Sequence, residues 1–354
     1  MKYFSMFSGI GGFELGIEKA SDNKCSSECK EPQQEECGQR REWDTTERGT
    51  LLCPGQQSPL CVGYSEINKY AIQIYQQHFP DHKNYGDATK IKTEDLPEFD
   101  MLCGGFPCQS FSIAGKQKGF EDTRGTLFHE ILRIASEKRP GTIFLENVKG
   151  LLSADQGRCF GVILCSLDEL GYDVEWQVLN SKNFGVPQNR ERVFIVGHLR
   201  GEPFREIFPL RKNDKKYYRM GGETDEKRER FHGPTLKGRQ RNYGAGELFI
   251  IPSEVDTMIN LHQWRTDEYG DGVKKGESFT LDQGSGRDYV VPVNRRLRRL
   301  TPVECERLQG FPDNWTNGIS DSQRYKCLGN AVTVNVIEAI VEEMNSLWCM
   351  IHNR

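Results

Sequence analysis

The chain has 354 residues and a formal net charge of −4, with 28% charged and 36% hydrophobic residues, a balance that excludes a disordered chain and allows one large domain or a large domain with a smaller partner. No stretch reaches the length of a membrane span, and residues 1–7 lack the apolar core and small-residue cleavage site of a secretory signal. A cytoplasmic protein with no membrane association is expected, its twelve cysteines mostly thiols rather than a disulfide framework.

In chain order, residues 3–7 form a short apolar run that ends at Gly9-Ile10-Gly11-Gly12, and 13–20 take a helical pattern. Residues 61–66 read as a second strand and 69–79 as its helix, with apolar Tyr70, Ile74, Tyr75 and Phe79 at helical spacing. A third strand at 99–103 runs into Gly104-Gly105-Phe106-Pro107-Cys108, and a helix follows over 126–137. Strands at 142–145, 174–179 and 192–197, with a helix at 162–170, complete an alternation that predicts a parallel sheet covered by helices on both faces.

Beyond Arg200 the pattern becomes polar and glycine-rich, and a second, smaller domain over 201–293 is expected, its own fold not legible. Residues 200–241 carry 13 Lys/Arg against 7 Asp/Glu, and Arg295, Arg296, Arg298 and Arg299 follow. Such a basic run marks either a solvated surface or a nucleic-acid footprint. Thr301-Pro302-Val303-Glu304 has the composition of a capping box, and a long helix is expected over 332–347. The segment 294–354 should pack back on the large domain, 1–200. Residues 21–60, with Cys25, Cys29, Cys37 and Cys53, are too long for an ordinary connection. No C-x2-C pair occurs there, so a disordered surface insertion is expected in preference to a zinc site.

The chemistry-bearing residues gather at predicted strand ends. A glycine turn between strand and helix, Phe7 to Phe13, lets a ligand approach the backbone, but Glu14 stands where a dinucleotide fingerprint needs its last glycine, which disfavours a nicotinamide cofactor. Glu66 closes the second strand, where a carboxylate can take ribose hydroxyls, and Asp87 lies in a loop near the same sheet edge. Cys108 follows a buried strand, Glu146 in Leu145-Glu146-Asn147-Val148 ends another, and Arg190 and Arg192 begin the next. A thiol, a carboxyl and guanidiniums at neighbouring strand ends compose a candidate active site.

In order and wording these segments resemble the cytosine-C5 DNA methyltransferases of bacteria and phages. The resemblance rests on Phe7 to Phe13, on Gly104 to Ser112 with its Pro107-Cys108 pair, and on Glu146-Asn147-Val148. It rests also on Gln188 to Arg192, Arg299 to Cys305 and Gly329-Asn330-Ala331-Val332. The family implies a Rossmann-like methyltransferase fold that uses S-adenosylmethionine, with a smaller, irregular, mainly β target-recognition domain. It casts Cys108 as the nucleophile toward carbon 6 of cytosine, Glu146 as the proton donor at N3, and Arg192, with Arg190, as the groups holding the base and Glu146. Phe7, Ile10, Gly12, Glu66, Asp87, Leu127, Asn330 and Val332 would line the cofactor pocket, Phe7 against adenine, with no metal.

The resemblance further implies base flipping out of double-stranded DNA, a closing loop over 109–124, and a monomer whose cognate restriction endonuclease is a functional partner. Ala114 stands where related loops often carry Ser. Thr235-Leu236 and Thr280-Leu281 both resemble the Thr-Leu pair of recognition domains, and neither is singled out. The alternatives are an RNA (tRNA) cytosine methyltransferase and a catalytically silent DNA-binding relative. The second would normally have lost the Cys or Glu that this chain keeps.

Overall fold

The structure is a computed structural model that describes residues 1–28, 58–107, 126–201, 206–210, 257–260, 273–275, 289–293 and 296–352. Six strands, β1 (Lys2–Met6), β2 (Leu60–Ser65), β3 (Met101–Gly105), β4 (Thr142–Val148), β5 (Tyr172–Asn180) and β6 (Glu191–Leu199), form one sheet in the order β2-β1-β3-β4-β6-β5. The first four are parallel. β6 corrects the expectation of a wholly parallel sheet, because it runs antiparallel to both β4 and β5. The reason is the connection: residues 181–190, which include the short turn Ser181–Phe184, link β5 to β6, and a parallel return would need a crossover of a dozen residues or more.

Alternate side chains of each central strand feed opposite cores, as the period of two requires. Phe4 and Met6 of β1, Leu102 of β3 and Ile143 and Leu145 of β4 pack with α3 (Leu127–Lys138) and α4 (Arg158–Glu169). Tyr3, Met101, Cys103 and Phe144 point the other way, toward α1 (Gly12–Glu28) and the last helix. A third apolar cluster joins α2 (Lys69–His78) to α5 (Pro302–Leu308) and α6 (Asp321–Asn330) through Ile74, Tyr75, Leu308, Trp315 and Leu328.

Helix starts follow local chemistry. Asn68 caps α2 by accepting from the backbone of Tyr70 and Ala71, and Thr126 caps α3 through His129. At α5 the predicted capping box forms: Thr301 Oγ1 accepts from Glu304 N at 3.3 Å, and the Glu304 carboxylate takes Thr301 N at 2.7 Å. The terminal α7 (Val334–His352) lies on α1, where a Cβ added at Gly16 would sit 2.6 Å from Ile337 Cβ, so the two backbones approach as only glycine allows. The helix α6 was not expected, because its polar sequence buries only Cys327, Leu328 and Gly329.

A second sheet of four antiparallel strands, β7 (Thr257–Asn260), β8 (Val273–Lys275), β9 (Tyr289–Val293) and β10 (Arg296–Arg299), has the order β10-β9-β7-β8. Pairing of β9 with β10 straddles residue 293. No helix among the described residues is long and apolar enough to cross a membrane. The expected insertion at 21–60, the loop 109–124 and both Thr-Leu pairs fall wholly or largely outside the described residues.

Candidate active site

The turn from β1 to α1 is clamped to the turn after β2. Ser8 N donates to Ser65 O at 3.2 Å and Gly9 N to Glu66 Oε2 at 3.0 Å. Phe7 and Gly9 both take left-handed backbone, φ 55 and 58, a conformation costly for phenylalanine and tolerated where the surroundings over-determine it. Glu66 Oε1 accepts from Ile67 N at 2.8 Å and Asn68 N at 2.7 Å. Three of the roughly four acceptor positions of this carboxylate are therefore filled by backbone, which fixes its aim and leaves one on Oε2 for a ligand hydroxyl.

Space for that ligand adjoins it. A Cβ built on Gly9 or on Gly86 would meet nothing within 4 Å, and Ser65 Oγ holds Gly86 O at 2.7 Å, which brings Asp87 to the same edge. Asp87 caps a short turn, accepting from Thr89 N and Oγ1 at 3.1 and 2.8 Å, and these bonds hold its carboxyl below the usual range. Ile67, next to Glu66, is 73% exposed. The sequence reading passed over it, although an apolar residue between a strand-ending acid and a helix cap was a visible signal.

Not every expected residue faces this space. Ile10 is 1% exposed and its side chain joins the α2–α6 cluster, while its carbonyl takes Trp315 Nε1 at 2.9 Å. Val332 is buried as well. Its Cγ2 would lie 2.7 Å from a Cβ at Gly12 and its Cγ1 3.8 Å from one at Gly105. Leu127 is half-buried at the start of α3, and Asn330 is exposed at the end of α6.

Glu146 and Arg192 meet beside the end of β3. Phe106 is buried, Pro107 is exposed, and Cys108 lies outside the described residues. Glu146 pairs in register with Gly105, whose added Cβ would come within 3.1 Å of Glu146 Oε2. Arg192 stands opposite Val148 on β6, and its Nε lies 3.1 Å from Glu146 Oε1. Burial raises the Glu146 carboxyl above the ordinary range, against the pull of Arg192 and Arg190. The same burial lowers the Arg192 guanidinium. Arg190 instead turns inward: one terminal nitrogen donates to Gly329 O at 3.2 Å and to Ala331 O at 2.8 Å.

Asn147, given no role of its own within the Glu146-Asn147-Val148 motif, donates from Nδ2 to Phe106 O at 2.8 Å and accepts from Val148 N on Oδ1 at 2.8 Å. It ties the residue before Pro107 to the strand that carries Glu146. Among the described residues no group of three or more His, Cys, Asp or Glu could hold a metal ion.

Residues 55–346 match the family model of the C-5 cytosine-specific DNA methylases. The chain belongs to that family. Type II methyltransferase M.NlaX of Neisseria lactamica is 35% identical over 363 residues, covering all of this chain and 99% of its own. Type II methyltransferase M.HhaI of Haemophilus parahaemolyticus is 32% identical over 98% of this chain and 94% of its own. Among solved structures, the Dnmt2 methyltransferase of Schizosaccharomyces pombe superposes with a TM-score of 0.60 over the full length of both chains at 16% identity, which bears on the fold alone. The methylase described here transfers a methyl group to carbon 5 of cytosine in DNA. It has the Rossmann-like fold of its class, with a smaller β region beside the six-stranded sheet.

Proposed function

We propose that this methylase takes its methyl group from S-adenosylmethionine, bound at the carboxyl ends of β1 and β2, and transfers it to a flipped-out cytosine attacked by Cys108. The observation that carries the reading is a buried, ion-paired Glu146 in register with Gly105, on the strand that leads into Pro107-Cys108.

The donor's residues fit that group. Glu66 keeps one acceptor position for a ribose hydroxyl, Phe7 and exposed Ile67 would offer apolar surface to adenine, and Asp87, Leu127, Gly12 and Asn330 would line the rest of the pocket. Ile10 would contribute backbone only, and Val332 would shape the wall. When bound, S-adenosylmethionine supplies an electrophilic methyl on a sulfonium.

The protein's own part begins with the Cys108 thiolate, which adds to carbon 6 of cytosine while Glu146 gives a proton to N3. Carbon 5 becomes nucleophilic and takes the methyl; a base then removes the carbon-5 proton, those electrons re-form the 5,6 double bond and expel the Cys108 thiolate, and N3 returns its proton to Glu146. Arg192 steadies Glu146 and reaches the carbonyl oxygen of the base. Arg190 acts from behind, through the turn at 329–331. Residues 201–293, basic in their first part, form the target-recognition domain between a catalytic domain, 1–200, and a closing segment, 294–354. Phosphates would be met by Lys and Arg and bases by polar side chains. The enzyme works as a monomer in the cytoplasm, paired in function with a cognate restriction endonuclease.

The test is conversion-based sequencing of plasmid DNA from cells that express the wild-type chain or Cys108→Ser. Protection of cytosines at one short motif, lost in the variant, is expected. A wild-type protein that binds S-adenosylmethionine and leaves every cytosine unprotected would overturn the reading, and tRNA would be the next substrate.

A further inference from the structure

Between α6 and α7 the chain turns through residues 331–333, held by buried groups of which the chemistry above uses only Arg190. Gln309, just after α5, is fully buried. Its carbonyl accepts from Val334 N at 2.9 Å, and its Nε2 donates to Leu328 O at 2.9 Å and, more weakly, to Ala331 O at 3.5 Å. Its Oε1 accepts from Thr333 Oγ1 at 2.8 Å. Thr333 Oγ1 lies 2.8 Å from Ser181 Oγ, and Ser181 N donates to Arg190 O at 3.0 Å. Arg190 then returns to Gly329 O and Ala331 O. The groups close a ring, and Ser181, Arg190, Gln309 and Thr333 are each at most 3% exposed.

A helix end leaves carbonyls without downstream N–H partners, and here Gln309 and Arg190 supply them. A planar amide offers donor and acceptor in one rigid plane, so it meets Leu328 and Thr333 together only when the turn sits at one depth. That depth matters because Val332 rides on the turn, wedged between Gly12 at the start of α1 and Gly105 at the end of β3. Exposed Asn330 rides on it too.

We propose that Gln309 is a positioning residue for methyl transfer. It sets the depth of Val332 and so registers the donor's pocket against the cysteine-bearing strand. This rests on the reading of S-adenosylmethionine as donor.

The test compares wild type, Gln309→Met, Thr333→Val and the double variant, at a temperature where circular dichroism shows each folded. Calorimetry gives Kd for S-adenosylmethionine, and steady-state assays give kcat with KM for donor and for DNA. Gln309→Met is expected to weaken the donor about tenfold or more in both Kd and KM, with the KM for DNA changed less than about twofold. Thr333→Val should move the donor terms in the same direction, and the double variant should be no worse than Gln309→Met alone, because one network is broken once. If Gln309→Met does not fold, Thr333→Val carries the test alone on the same split. Donor affinity within about twofold of wild type, or equal weakening toward donor and DNA, would overturn the proposal. A folded wild type that binds no S-adenosylmethionine would remove the donor reading and this proposal with it.

Discussion

The amide nitrogen of Asn147 donates to the carbonyl oxygen of Phe106 at 2.8 Å, both residues buried, so the strand that presents the Glu146 carboxylate also holds the residue before Pro107. Asn147→Ala leaves that carbonyl without its side-chain donor, at an expected cost of about 1–3 kcal/mol in stability. If Cys108 is the nucleophile proposed above, it must meet carbon 6 within a narrow geometry, and kcat should then fall by about tenfold to a hundredfold with little change in the KM for the donor. Single-turnover methylation and urea unfolding check the two terms separately, and an unchanged kcat would refute the link.

In the proposed role Glu146 must carry a proton to give one up, and burial already favours its protonated form while Arg192 opposes it. The rate should therefore fall as pH rises through the carboxyl's pKa. Arg192→Met removes the opposing charge, so it should lower kcat and move this falling limb to higher pH. A limb that moved to lower pH, or stayed in place, would show that another group governs it. Glu146→Gln should abolish the limb together with most of the activity.

Gly12 has no room for a side chain, since a Cβ there would lie 2.7 Å from Val332 Cγ2. Gly12→Ala should weaken S-adenosylmethionine binding about tenfold or more, as the displaced wall closes on the pocket. Val332→Ala in the same chain makes space and should restore part of the affinity. Titration calorimetry on the two variants decides it: no recovery in the pair would mean that the clash lies elsewhere.

Glu14, on the first turn of α1, is wholly buried, and burial pushes its carboxyl up to about 7 although Tyr75 Oη donates to it at 3.0 Å. A carboxyl raised on folding contributes stability fully below its unfolded pKa and loses it as pH rises through the folded one. The rise from 4.5 to about 7 corresponds to about 3 kcal/mol, at roughly 1.4 kcal/mol per pH unit. Wild-type stability should thus drop between about pH 5 and pH 7 by up to this amount. Glu14→Gln should flatten that drop in urea unfolding measured across the range; an unaltered pH profile would exclude Glu14 as its source.

How much was legible in the sequence depended on how local each signal was. Strands β1 to β4 and helices α2 and α3 announce themselves, because apolar period and capping residues such as Asn68 and Thr126 act within a few residues. The capping box at Thr301 formed for the same reason. The helix α6 did not announce itself, since its fixing contacts come from elsewhere: Gln309 on its last carbonyls and Arg324, which reaches Glu306 at 3.1 Å. The direction of β6 was equally hidden, being set by the shortness of the link from β5 rather than by any pattern within the strand.

By itself, the sequence determined the alternating class, the strand-end positions of Glu66, Glu146 and Arg192, and the motifs that carry the family resemblance, because residue type and spacing are properties of neighbours along the chain. Only the tertiary structure decided which of these groups meet. It turned Arg190 inward onto the 329–331 turn, set Val332 between Gly12 and Gly105, and placed Asn147 on Phe106. Those outcomes depend on contacts between segments far apart in the chain, made when two faces of one sheet are covered at once, and no local pattern encodes them.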